Sequence, residues 1–168
     1  DIAKDILENH PKLNVDNYEN CFDELKNKSL KLSMDSIKKD LKRLGIEHNN
    51  FVSETYLVNE DFVNKTVHLL KKGNHIEEGF LQPPKGTENK NWKKIRRLIF
   101  KSTKFGDDND RALQKNDGSW TYFANDVGYH NFKISKKYDL LINILGADHT
   151  GYIKRIKAAV EAISNGCL

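Results

Sequence analysis

The decapeptide TYFANDVGYH, Thr121 to His130, sets a phenol and a carboxylate, Tyr122 and Asp126, four residues apart. The stretch reads as an aromatic strand turning into a helix. Tyr122 is expected to close the strand and Asp126 to sit in the first helical turn. Two other polar turns share this setting: Ser53-Glu54 after Phe51-Val52, and Asp148-His149 after the apolar run YDLLINIL. Open α/β sheets bind ligands at the carboxyl ends of their strands, so the three turns are candidates to meet at one pocket. Two carboxylates and a phenol suit a planar cation. A guanidinium offers five donors in a fixed fork, which carboxylates accept in pairs. A charge buried in this way must be fully matched, because an unmatched one is costly. The chemistry indicated is a pocket for a small molecule bearing a guanidinium group.

Each turn also has a plainer local reading. Asp126 by itself is a helix N-terminal acid stabilised by the dipole. Glu54 by itself is an exposed charge at a strand end, and Asp148-His149 a cap and a surface imidazole. Only the combination favours a site.

The elements that must position these residues follow from pattern. The first fifty residues read as helical, with Leu30, Met34, Ile37, Leu41 and Leu44 spaced as one apolar stripe and Gly45 as a stop. A short strand at 51–54 is expected to lead into a helix capped by Asn59. That helix carries Glu60 and Asp61 in its first turn, Val63, Val67 and Leu70 inward, and Lys71-Lys72 at its end. Asn74 to Trp92, with Pro83-Pro84-Lys85-Gly86, reads as a surface insertion. Strands are expected at 97–102, 111–115 and 120–123, the last two joined by the turn Asn116-Asp117-Gly118-Ser119. A helix follows from Asn125 to about Ile134. Tyr138 to Leu145 reads as a buried strand. Gly151 to Ser164 reads as a helix burying Tyr152, Ile156, Ala159, Val160 and Ile163. Strand, polar turn and helix, repeated, make half of a parallel α/β domain.

Composition narrows the class. The 168 residues are 38% apolar and 31% charged, which suits one domain or a large piece of one. No run approaches the roughly 18 apolar residues of a membrane helix, and no leader marks secretion. The chain opens on Asp1-Ile2-Ala3, already helical in character, as if excised from something longer. Cys21 and Cys167 are far apart and read as reduced thiols. The six histidines show no ligand spacing. Asn27-Lys28-Ser29 and Asn64-Lys65-Thr66 match a glycosylation triplet but fall in helical pattern. The net charge, 28 − 24 = +4, permits contact with nucleic acid without requiring it. The basic run NKNWKKIRR, Asn89 to Arg97, is either an RNA-facing patch or a solvated face with one packed aromatic.

FKSTKFGDDNDRALQKNDGSWTYFANDVGYH and YDLLINILGADHTGYIKRIKAAVEAI, with SIKKDLKRLGIEHNNFVSE and DIAKDI upstream, resemble the bacterial-type arginyl-tRNA synthetases, a class I family. FGDD-x-DR, TYF-x-x-D and GADH-x-GY, in this order, carry the resemblance, which extends over essentially the whole chain. It implies an α/β fold: a partial Rossmann-like catalytic domain with parallel strands, flanking helices and a small β-hairpin insertion. Residues 1–73 would be a mostly helical segment, 74–120 the insertion, and 121–168 the second-half strand-helix units. It implies ATP-dependent activation of L-arginine and transfer to tRNA(Arg), through attack of the arginine carboxylate on the ATP α-phosphate. No enzyme nucleophile is needed; such sites work by positioning and by stabilising phosphate charge. By the same resemblance Glu54, Tyr122, Asp126 and His149 would hold arginine, while Gly146 and Asp148 would meet ATP, which arrives with Mg2+. The implied parent enzyme is cytoplasmic, monomeric and without a membrane segment.

Departures from the family pattern are equally informative. His-x-Gly-His and Lys-Met-Ser-Lys-Ser, which handle the phosphates, do not occur. Lys133-Ile134-Ser135-Lys136-Lys137 imitates the second but lies where the family has a helix end. The anticodon-binding helical domain and the amino-terminal tRNA-contacting domain are not recognisable. The expectation is a central piece of the catalytic domain, inactive by itself. The competing expectation is a stand-alone binding module that reuses the fold and touches RNA through NKNWKKIRR.

Overall fold

The computed structural model describes residues 2–10, 18–81 and 95–167, and the chain divides into two compact units, 1–51 and 52–168. In the first unit, helix α1 (Ile2–Asn9) packs on α2 (Tyr18–Arg43), and Ile6 is buried. Helix α2 stops as the sequence predicts. Gly45 takes φ 73°, and the Ile46 amide reaches back to the Leu41 carbonyl at 2.9 Å. The apolar stripe lies along α2 but is not buried: Leu30, Ile37 and Leu44 are exposed, with Met34 and Leu41 half-buried.

The second unit comprises α3 (Glu54–Asn59), α4 (Phe62–Lys72), strands β1 (Ile76–Gly79), β2 (Arg97–Phe100) and β3 (Arg111–Ala112), α5 (Tyr122–Ser135) and α6 (Thr150–Ser164). The sheet is antiparallel, in the order β1-β2-β3, with Ile76 opposite Phe100 and Ile99 opposite Ala112. Leu70 of α4, Phe100 of β2, Leu113, Val127 of α5 and Ala158 and Ala159 of α6 form one buried core. Small residues let the helices close up. A Cβ on Gly128 of α5 would lie 3.3 Å from the Val63 backbone, so glycine sets the approach of α4 to α5. Val63, Leu70 and the α6 face are packed as expected from their spacing.

Several expectations are corrected. There is no strand at 51–54. Ser53 adopts an extended backbone (φ −90°, ψ 145°) and its hydroxyl accepts the Tyr56 amide at 3.0 Å, which starts a helix at Glu54. Asn59 therefore ends α3 instead of capping α4. The chain breaks at Asp61, in the left-handed conformation (φ 59°), where the Asn64 amide donates to its carboxylate. Ile76–Gly79 is not loop but the edge strand β1, and its Ile76 belongs to the core. The expected strand at 120–123 shrinks to a bridge between Gln114 and Trp120 across the turn, with Gly118 at φ 82°. Among the described residues no strands pair in parallel, and 138–145 has no regular secondary structure. Leu140, Ile142 and Ile144 are 73%, 75% and 95% exposed, because a strand apolar on both faces needs neighbouring strands to cover it. Pro83-Pro84-Lys85-Gly86 and Asn89 to Lys94 lie outside the described residues. Ile95 and Arg97 are half-buried, and exposed Arg96 pairs with Glu78 at 3.1 Å.

Candidate functional site

Two N-caps build the site. Ser53 places Glu54 in the first turn of α3, where an acid is favoured by the helix dipole. Thr121 caps α5: its hydroxyl accepts the Ala124 amide at 3.2 Å and donates to the Ala112 carbonyl at 3.0 Å. Tyr122 is thus the first residue of a helix, not the last of a strand. Tyr122, Asn125, Asp126 and Tyr129 then share one helix face by their spacing of three and four, while Phe123, Ala124, Val127 and Gly128 turn to the core.

Glu54, Tyr122, Asn125, Asp126 and Tyr129 rim a cavity of about 260 Å³ floored by Leu57 and Val63. Acids from two separate helices face the same space. Asn125 Nδ2 donates to Glu54 Oε1 at 2.7 Å, and the Tyr152 hydroxyl donates to Asp126 Oδ2. Tyr122 is 78% exposed, a lip rather than a wall. Its ring has the Lys115 ammonium 5.5 Å from its centroid.

A second cavity, about 440 Å³, opens on the other side of Asp126 and Tyr129, and His130, Lys133, Asn143, His149 and Tyr152 line it. His149 therefore shares a cavity with Asp126 but not with Glu54. Its ring meets the Tyr152 ring edge-on, 6.5 Å between centroids. Gly146 and Asp148 line neither cavity. Gly146 opens the 3-10 turn 147–149, and a Cβ there would sit 2.5 Å from Asp148 Oδ1. Asp148 is exposed and lies 3.6 Å from the His149 ring.

Burial tunes this second cavity. His130 is pushed down to about 4 by burial and by the nearby Lys133 charge, so its imidazole is neutral at physiological pH. Burial also holds Lys133 below the ordinary lysine range, against the attraction of Asp126. Its ammonium sits 4.7 Å over the Tyr129 ring and donates to Asn143 Oδ1. The Tyr152 phenol is pushed up by burial and by its hydrogen bond to Asp126. The mimic run 133–137 is the end of α5 and its cap.

The sequence reading gives no site role to Asn125, Tyr129, Lys133 or Tyr152. Helix periodicity could have found Tyr129, three beyond Asp126. The spacing of Tyr152, three beyond His149, could have flagged it as a neighbour of that turn. FGDD-x-DR proves structural within this chain. Arg111 forks onto the buried Asp107 through bonds of 2.7 and 2.6 Å, Asp110 accepts from the Thr103 amide and hydroxyl, and Asp108 pairs with Lys154. Neither cysteine forms a disulfide. Among the described residues no helix is long and apolar enough to cross a membrane.

Comparison with known proteins agrees with the sequence resemblance. No family model matches the chain. It is 50% identical over 163 residues to an arginine–tRNA ligase of Pelagibacter ubique, covering 97% of this chain and 28% of that protein. It is 56% identical over 137 residues to the arginine–tRNA ligase of Ehrlichia chaffeensis, covering 82% of the chain and 24% of the relative. Among solved structures, it is similar to a provisionally named arginyl-tRNA synthetase from Campylobacter jejuni, with a TM-score of 0.71 and 33% identity. That match covers 98% of this chain and 32% of the other. Over nearly its whole length, the chain is homologous to one segment of the arginine–tRNA ligases and spans about a quarter of the length of those curated relatives.

Proposed function

We propose that this chain is part of the catalytic domain of an arginine–tRNA ligase and supplies its arginine pocket. The observation that carries the reading is the placement of Glu54 and Asp126, from separate helices, on one small cavity. A guanidinium between them meets acceptors on two sides, with Tyr122 as the outer lip and Tyr129 beside it. Lysine, a compact ammonium without the fork, leaves acceptors unpaired, which is how such a site discriminates. His149, at the far side of Asp126, would face the main-chain end of the bound arginine.

ATP activation is assigned to the parent protein. Gly146 and Asp148, in the turn before α6, would face the nucleotide, and Mg2+ would come with its phosphates. Among the described residues no group of three or more histidine, cysteine, aspartate or glutamate side chains could hold a metal ion. The phosphate-handling motifs are not in this sequence. In the parent protein the apolar segment 138–145 would pair in parallel with other strands, completing a Rossmann-like sheet. The parent enzyme would be a cytoplasmic monomer acting on L-arginine, ATP and tRNA(Arg).

Calorimetry with L-arginine tests the pocket. The chain should bind it, and Asp126→Ala should weaken binding at least tenfold, the order expected when a charged hydrogen bond is lost; equal affinity overturns the assignment. Supplied with ATP, arginine and tRNA(Arg), the 168-residue chain should show no ATP–pyrophosphate exchange. Measurable turnover would refute the division of labour.

A further inference from the structure

Each acid of the pocket has one oxygen already engaged, and by an uncharged donor. Asn125 Nδ2 donates to Glu54 Oε1 at 2.7 Å, and the Tyr152 hydroxyl donates to Asp126 Oδ2. Among the described residues the other oxygen of each acid, Glu54 Oε2 and Asp126 Oδ1, accepts no hydrogen bond from the chain. The choice of donor has a consequence. A lysine or arginine in either place would orient the carboxylate equally well but cancel the charge that a cationic ligand needs. An amide and a phenol fix the rotamer without forming an ion pair, and Lys133, which Asp126 attracts, donates to Asn143 Oδ1.

Tyr152 is well supported for such a task. It is half-buried on the first turn of α6, with the Arg155 guanidinium 4.9 Å over its ring and His149 against its edge. It connects the turn before α6 to the acid on α5. The charged groups facing it are Asp126 from α5, Arg111 from β3 and Arg155 from its own helix. Burial and the hydrogen bond to Asp126 keep its phenol protonated well above the ordinary tyrosine range, so it remains a donor at every physiological pH.

We infer that Tyr152 is a positioning residue for guanidinium recognition, with Asn125 as its counterpart on Glu54. Each holds one oxygen of an acid and turns the other toward the ligand. The inference rests on the arginine reading above. A guanidinium is then gripped across two acids, one N–H to each, instead of being forked by one. A ureido group of the same shape, as in L-citrulline, presents a carbonyl oxygen to one of those acceptors and is rejected.

The test is Tyr152→Phe, which keeps the ring and its packing. L-arginine affinity should fall about tenfold, the loss expected for one hydrogen bond to a charged group. Preference for L-arginine over L-citrulline, measured by ligand-observed NMR, should fall with it. A role confined to joining α5 and α6 would weaken both ligands alike, and an unchanged preference overturns the inference. A ligand-free measurement supports or overturns the contact independently. Burial alone keeps the Tyr152 phenol above the ordinary range, and the hydrogen bond and charge of Asp126 raise it further. In a pH titration the Tyr152 Cζ resonance should therefore move toward phenolate at a lower midpoint in Asp126→Asn than in the wild type. An unchanged midpoint overturns the contact. A wild-type chain that binds no arginine sinks the pocket reading and this inference together. A wild-type chain that binds arginine with Tyr152→Phe unimpaired sinks this inference alone.

Discussion

Asp107 and Arg111 show how one charged pair can carry a loop without belonging to the chemistry. The Asp107 side chain is 1% exposed, and both its oxygens accept from the Arg111 fork. Burial alone would raise the Asp107 carboxyl. The hydrogen bonds from Arg111, the Asp108 amide and Ser102 outweigh it, and the group is held below 3.8. The stability it contributes is thus fully present above that ordinary value and lost as pH falls through the lower folded one. Arg111→Met, which leaves the acid buried and unpaired, should cost about 3 kcal/mol in urea denaturation near neutral pH. His130 acts in the same direction over a higher pH window, though here it is the neutral form that burial favours. In the unfolded chain it takes a proton near 6.5, but when folded only near 4. The unfolded state therefore binds more protons across that window, and stability should decline as pH drops from about 6.5 to 4. Thermal melts of His130→Gln should show a flatter decline there; an identical slope would place the titration elsewhere.

At the level of elements, caps decide more than strands do. Thr121 ties the start of α5 to the Ala112 and Leu113 carbonyls and so fixes where Tyr122 and Asp126 emerge. Thr121→Ala should lose about 1–2 kcal/mol of stability by urea denaturation and weaken arginine binding through the displaced acid. Segment 138–145 is the reverse case, an apolar run with no ladder. Hydrogen exchange should show its amides unprotected, while those of Ile156 to Ala162 in α6 are protected by burial. Protection across 138–145 would mean that it has found a strand partner. The expected strand there, and the one at 51–54, were misread for the same reason. A run of β-favouring residues states what a segment can do, and pairing is supplied by chain elsewhere. Serine and threonine caps are local, yet Ser53 and Thr121 read as strand, because Phe51-Val52 lies beside one and Trp120, Tyr122 and Phe123 beside the other; the stop at Gly45 and the ends of α4 and α6 are legible.

For the whole molecule, the unburied α2 stripe and the row Leu140, Ile142 and Ile144 leave large apolar surfaces in water. Sedimentation velocity should show association that grows with concentration and that Ile144→Lys reduces; a monomer at all concentrations would mean these faces are covered within the chain. The sequence by itself determined which acids and phenol are candidates for a guanidinium, where most helices run, and through FGDD-x-DR, TYF-x-x-D and GADH-x-GY, the relatives of the chain. Those are properties of residue type and local spacing, legible along one dimension. Only the tertiary structure decided that Glu54 and Asp126 share a cavity, that His149 lines the neighbouring cavity with Gly146 and Asp148 in neither, and that Tyr152 and Asn125 donate hydrogen bonds to the two acids. Those facts depend on helices packing across tens of residues, and Glu54 meets Asn125 over a separation of 71. No local pattern encodes such a meeting; close packing of α3, α4 and α5 does.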